Sequence, residues 1–233
     1  MTRDNWQDDD FAAQWNQSDC LYTNPDRLNQ LSLLARMVAE EQPGTLVDLG
    51  IGSAQVELAF KKYCPELFSD CHITGVDGSA AMLNLASEVI AKYKIPGIQL
   101  VQENFAHLES IKLGKPIDTV ICVQALHEVD HDTKRAAFSW VYDNLAEGSP
   151  FYILDRFTYK FDRWKTDWKA AWEWMREGAE FPTLGFDEYH HRYQGKTDAV
   201  TSLSNYIMWL QQTGFHCVCP YRCFNRALIV ARK

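Results

Sequence analysis

The sequence has no apolar run approaching the roughly 20 residues that a membrane span requires. Its first ten residues, Met1 to Asp10, hold no apolar stretch that would serve as a secretion signal, so a cytoplasmic location is the expectation. Positive charge is scarce as well, with 23 Lys and Arg against 31 Asp and Glu, a net charge of −8. That balance weighs against a nucleic-acid partner, because phosphate binding calls for a basic face. Cysteine lacks a pattern: there are seven, an odd number, scattered through apparent strands and helices, as expected of reduced thiols. Cys217, Cys219 and Cys223 form the one tempting cluster. Zinc thiolates come in sets of four, with pairs two to four residues apart, so no metal is expected.

What is present fits one large domain. The 233 residues, 46% apolar, suffice for a core under a sheet of roughly five to seven strands. Residues 1–26 carry six acids against one Arg, interleaved with Trp6, Phe11, Trp15 and Tyr22, and read as a cap whose aromatics fold onto the body. Residues 27–41 repeat apolar side chains at helical spacing and stop at Pro43-Gly44. Strands are then predicted at 46–49, 72–76, 99–102, 119–123 and 151–154, with helices at 54–63, 80–93 and 133–145. Such alternation implies βαβ units and a parallel sheet. A helix over 202–212 and a hairpin with arms 215–221 and 227–231 close the chain.

The segment Thr45-Leu46-Val47-Asp48-Leu49-Gly50-Ile51-Gly52-Ser53-Ala54 is a short strand ending in an acid and a glycine turn. It is not a nicotinamide fingerprint, since Gln55 stands where the third glycine would allow close helix–strand packing. Asp48, two residues before Gly50, suits a cationic, amine-bearing ligand. Asp77 ends the second strand 25 residues beyond Gly52, where a carboxylate accepts both hydroxyls of a ribose. Helix capping is the plain alternative for Asp77, although Ser79 is available for that task.

These residues resemble the class I S-adenosylmethionine (SAM) dependent methyltransferases, with Ala54 in place of the last glycine of their first motif. Asp77-Gly78-Ser79-Ala80-Ala81-Met82 is similar to their second motif, and the third strand runs into Glu103-Asn104-Phe105. The resemblance implies a doubly wound Rossmann-like α/β fold, with a seven-stranded sheet in the order 3-2-1-4-5-7-6 and an antiparallel last strand. SAM is the implied cofactor. It would lie against Tyr22, Asp48, Gly50, Gly52, Asp77, Gly78, Met82, Asn104, Phe105 and Val123, with Asn104 and Phe105 at the adenine and Tyr22 and Asp48 at the methionine end. For Asn104 a loop-capping role remains open.

Leu126-His127-Glu128 follows the fourth strand and resembles the Leu-His-His of small-molecule methyltransferases. The Pro-Pro-aromatic motif of base methyltransferases is missing there, which implies a small-molecule acceptor. His127 is the candidate general base, or else a buried histidine that shapes the crevice. Residues 156–200 interrupt the methyltransferase domain of 27–233. Trp164, Trp168, Trp172 and Met175 recur there on one helical face, as a lid over the crevice or as a core or dimer-interface stripe. Trp164, Trp168 and Arg192 are the candidate acceptor-binding residues, with ion pairing the alternative for Arg192; the pattern leaves a homodimer open. Arg192 and Cys223-Phe224-Asn225 bear some similarity to carboxy-SAM synthases, which modify SAM itself, so that activity is the alternative. A non-catalytic interaction protein on the same fold is the third reading.

Overall fold

A computed structural model describes residues 6–18, 25–113, 116–158, 165–179, 183–193 and 200–233. In chain order the elements are α1 (Asp9–Ser18), α2 (Arg27–Glu40), β1 (Thr45–Leu49), α3 (Gln55–Tyr63), β2 (His72–Asp77), α4 (Ala80–Tyr93) and β3 (Ile98–Gln102). There follow β4 (Thr119–Val123), α5 (His131–Asn144), β5 (Pro150–Arg156), α6 (Lys165–Glu177), α7 (Phe186–Tyr193), α8 (Leu203–Thr213), β6 (His216–Cys223) and β7 (Arg226–Arg232). The strands form one seven-stranded sheet in the order β3-β2-β1-β4-β5-β7-β6. Strands β1 to β5 pair in parallel, and β7 enters antiparallel against β5 and β6, as the sequence led us to expect.

Alternate residues of the central strands divide between two cores. Val47, Leu49, Val120, Phe151 and Ile153 pack with Phe138 of α5 and Tyr206 of α8. Leu46, Ile121, Val123, Tyr152 and Leu154 face Leu31 and Leu34 of α2 and Phe60 of α3. Covering both faces is what makes these strands nearly continuous apolar runs. Among the described residues no helix is long and apolar enough to cross a membrane.

The hairpin departs from its expected form. Its arms are longer, and Cys223, expected in the turn, instead closes β6 opposite Arg226. Phe224, at a φ of +52°, takes the turn with Asn225. Short 3-10 turns at Pro65–Ser69, Phe105–Ser110 and Leu126–Glu128 have no counterpart in the sequence reading. Each is too brief to show a helical period.

Candidate active site

The carboxyl ends of β1, β2, β4 and β5 meet where a doubly wound sheet opens its crevice. The glycine turn after β1 is fastened to β2, with the Gly50 and Ile51 N–H groups donating to the Val76 carbonyl at 2.7 and 3.0 Å. Asp77 continues this lacing. Its Oδ2 accepts from the Gly52 N–H at 2.9 Å and its Oδ1 from the Ser79 N–H at 2.8 Å. Ser79 caps α4 by accepting from the Met82 N–H at 3.1 Å, so the cap falls to the serine. Burial raises the pKa of Asp77 on balance, with the two amide donors pulling against it. Each oxygen keeps a lone pair for a ribose hydroxyl. Asp77→Ala is therefore expected to weaken SAM affinity by about 2–3 kcal/mol, the usual loss for charge-assisted bonds. Calorimetry on the folded variant checks this, and a change below tenfold removes the ribose role.

The N-terminal segment crosses this same turn. Gln7 Nε2 donates to the Gly78 carbonyl at 2.8 Å, the Ser79 hydroxyl donates to the Trp6 carbonyl, and Ala12 packs on Ala81 and Met82. Asn104 caps its own turn by accepting from the Ala106 N–H at 2.7 Å. Its carbonyl has one lone pair left for an adenine amine. Phe105 lies beside the Gly50 turn, and Val123 is buried where β4 ends.

Asp48 and Glu57 are fully enclosed, and none of their four carboxyl oxygens accepts a hydrogen bond among the described residues. Burial, and then the neighbouring Glu57 carboxyl, hold Asp48 well above the usual carboxylate range. Burial likewise pushes Glu57 up to about 7. Burial thus favours the protonated form of both acids, and a bound cation would favour the charged form. Beyond β4, Gln124 takes a φ of +54°, and its buried Nε2 has no partner among the described residues. Orphaned acids, an orphaned amide and a glycine cradle are the groups a cationic, ribose-bearing cofactor would satisfy. The residues fit SAM.

His127 follows β4 on a buried 3-10 turn. Its Nδ1 lies 2.6 Å from Oδ1 of Asp155, the penultimate residue of β5, which is itself fully enclosed. Tyr206 of α8 donates its hydroxyl to Asp155 Oδ2 at 3.2 Å. On the other side, His127 Nε2 is 3.1 Å from Glu128 Oε1. Burial lowers the pKa of His127, but the charge and hydrogen bond of Asp155, joined by Glu128, outweigh it against Arg156, and the net shift is upward. A carboxylate on Nδ1 fixes the tautomer and leaves Nε2 to take a proton. The sequence reading missed Asp155, Tyr206, Glu57 and Gln124. For Asp155 its place at a strand's carboxyl end was the available signal.

Over the end of β5 sit α6 and α7. Trp172, 1% exposed, packs on Tyr189 with ring centroids 4.4 Å apart, and Trp168 meets Phe224 of the hairpin turn at 5.1 Å. Trp174, 74% exposed, points away from this cluster. Tyr22, Trp164 and the side chain of Arg192 lie outside the described residues.

Residues 46–148 match the family model of the methyltransferase domain, a family that uses SAM. The sheet order is that of the class I SAM-dependent methyltransferases. No curated protein matches the chain. Among solved structures, DhpI in its complex with SAM and HEP is similar at a TM-score of 0.63 and 16% identity, over 98% of this chain and 94% of that one. An O-methyltransferase family protein from Burkholderia thailandensis is similar at a TM-score of 0.58 and 14% identity, over 90% of this chain. Human N-acetylserotonin methyltransferase in complex with SAM is similar at 0.59 and 17%, over 98%. The chain spans less than two-thirds of the last two, 59% and 57% of their lengths.

Proposed function

We propose that this protein is an enzyme that transfers the methyl group of SAM to a hydroxyl of a small-molecule acceptor, with His127 as the general base. The observation that carries this reading is the 2.6 Å contact between His127 Nδ1 and buried Asp155 at the mouth of the crevice. Bound SAM would supply a methyl group already activated by its sulfonium. What remains for the chain is to orient the acceptor, exclude water and hold its proton, and orientation alone is worth several kcal/mol. His127 Nε2 takes the acceptor proton, and Asp155 steadies the resulting imidazolium. Asp48 and Tyr22 serve the methionine end, Asp77 and Gly78 the ribose, and Met82, Asn104 and Phe105 the adenine. The segment 1–26 acts as a cap over the cofactor, and 156–200 as a lid that brings Trp164, Trp168 and Arg192 to the acceptor.

Mass spectrometry of the ligand that copurifies, and of the products formed from SAM, tests the reading. S-adenosylhomocysteine supports methyl transfer. A SAM mass increased by one carboxylate would favour the carboxy-SAM synthase alternative, for which the Cys223-Phe224-Asn225 turn speaks. A protein that neither holds nor turns over SAM would be an interaction module.

Glu128 gives a second handle. A base must be neutral, and Glu128 at Nε2 favours the charged imidazolium. The rise of kcat/KM with pH is therefore expected to have its midpoint above the ordinary histidine value of 6.5. Glu128→Gln should move that midpoint to lower pH, because one source of the upward shift is gone. A pH profile of the two proteins decides it, and coincident midpoints would detach Glu128 from the base.

A further inference from the structure

Asp48 and Glu57 bracket the glycine turn in sequence and lie beside each other in the fold. Asp48 stands one residue before the end of β1, in register with Gly75 of β2 and Ile121 of β4. Glu57 lies in the first turn of α3, the helix that follows the glycine turn. Leu46, two residues before Asp48, packs in one core with Phe60 of α3, so the pleat turns the Asp48 carboxyl toward that helix. Both acids are 0% exposed. Among the described residues no group donates a hydrogen bond to any of their four oxygens, although buried carboxylates ordinarily gather donors.

The charges that act on Asp48 are those of Glu57 and of Asp77 on β2, both negative, and β4 contributes the buried Cys122 thiol. Arg27, the buried cation at the head of α2, donates a hydrogen bond to neither acid. Arg36 and Glu40 of α2 lie beside Cys64, at the far end of α3. Lys61 of α3 directs its ammonium to the Tyr93 and Lys94 carbonyls at the end of α4, at 2.6 Å each. Two carboxylates packed together in this way are costly to bury, and the neutral acids cost far less. Burial accordingly raises both above the usual carboxylate range.

We propose that Glu57 couples cofactor uptake to proton release: the enclosed Asp48–Glu57 pair is protonated in the free protein and gives one proton to solvent when the positively charged end of SAM settles over the glycine turn. The O–H bond of one carboxylic acid breaks, water takes the proton, and the carboxylate left behind becomes the countercharge of the cation. Glu57 acts here without touching the ligand, since a unit charge about 8 Å away through protein changes the ionisation of a buried acid by tenfold or more. The inference rests on SAM being the ligand of this turn, but it is measured by binding alone and needs no acceptor.

SAM and 5′-methylthioadenosine, which keeps the adenosine and lacks the charges, are titrated into the full chain by calorimetry. Buffers of different ionisation enthalpy count the protons released, from about pH 5.5 to about 7, where the SAM ammonium keeps its charge. SAM is expected to release a proton, and its dissociation constant to fall as pH rises across this range, by up to about tenfold per pH unit. 5′-Methylthioadenosine should bind without proton release and with a flat profile. Glu57→Gln keeps the shape of the side chain and removes its proton exchange, so proton release should drop by about half or more and SAM affinity should vary less with pH. His127, which titrates in the same range, is common to both proteins and cancels in the comparison. If Glu57→Gln fails to fold, the contrast between the two ligands on the wild-type protein decides alone. SAM binding without proton release, equal release with both ligands, or a Glu57→Gln protein that releases protons like wild type overturns the proposal and leaves the cofactor assignment standing. A protein that binds neither ligand overturns the methyl-transfer reading and the proposal together.

Discussion

Replacing His127 by alanine is expected to cut turnover by about 10²–10⁴ while leaving SAM affinity within a few-fold, the pattern of a lost general base. His127 is buried with Nδ1 on Asp155, so its removal takes one partner from an enclosed carboxylate. Among the described residues the remaining donors on Asp155 are Tyr206 and the Arg156 N–H. The substitution should therefore cost about 1–3 kcal/mol of stability as well, and kinetics must be read below the variant's melting transition. Single-turnover rates and calorimetry with S-adenosylhomocysteine separate the outcomes. A loss confined to the acceptor's KM would mean that His127 only shapes the crevice. Near-wild-type values for both parameters would remove it from the mechanism and leave proximity to carry the transfer.

The parts of this site that could be read from the sequence are those set by neighbouring residues. A strand, an acid and a glycine turn occupy ten consecutive positions, and Ser79 caps the helix that follows it, so both can be seen in one dimension. The residues that complete the site come from pairing across the sheet. Asp155 reaches His127 because β5 lies parallel beside β4, 28 residues further along the chain. Nothing in Phe151-Tyr152-Ile153-Leu154-Asp155 distinguishes that acid from any other at a strand end. Glu57 stands in the first turn of α3, where solvent-facing acids belong. Enclosure beside Asp48 removes it from water and raises its pKa instead. The tryptophan-rich stretch was legible in part. Helical spacing put Trp168 and Trp172 on one face, and the two share one apolar cluster. What the stripe packs against, Phe224 and Tyr189, depended on a hairpin turn and a second helix whose approach no periodicity encodes.

Gly50→Val is expected to abolish SAM binding and to lower the melting temperature together, for a reason that only the folded geometry supplies. A side chain at Gly50 would crowd the space over the glycine turn. In the structure it would first meet protein, since a Cβ built there falls 2.3 Å from the Cβ of Ala125, on the loop that leads into His127. The φ of +84° adds a second penalty, because a β-branched residue is an outlier in that region. Backbone strain of about 1–3 kcal/mol and a similar cost of overpacking act on one position. Relief requires the β1 turn and the β4 loop to separate. The Gly50 N–H bond to Val76 breaks if the first moves, and Leu126-His127 shifts if the second does. Either way the glycine turn after β1 and the segment that carries His127 lose their common register. Gly50→Ala grades the effect, carrying the same Cβ clash without the branch, and should bind weakly but measurably. Calorimetry with S-adenosylhomocysteine and a melting curve on both variants provide the check. A folded Gly50→Val protein that binds like wild type would show that the two loops move independently. The close approach of Gly50 to Ala125 would then have no part in building the site.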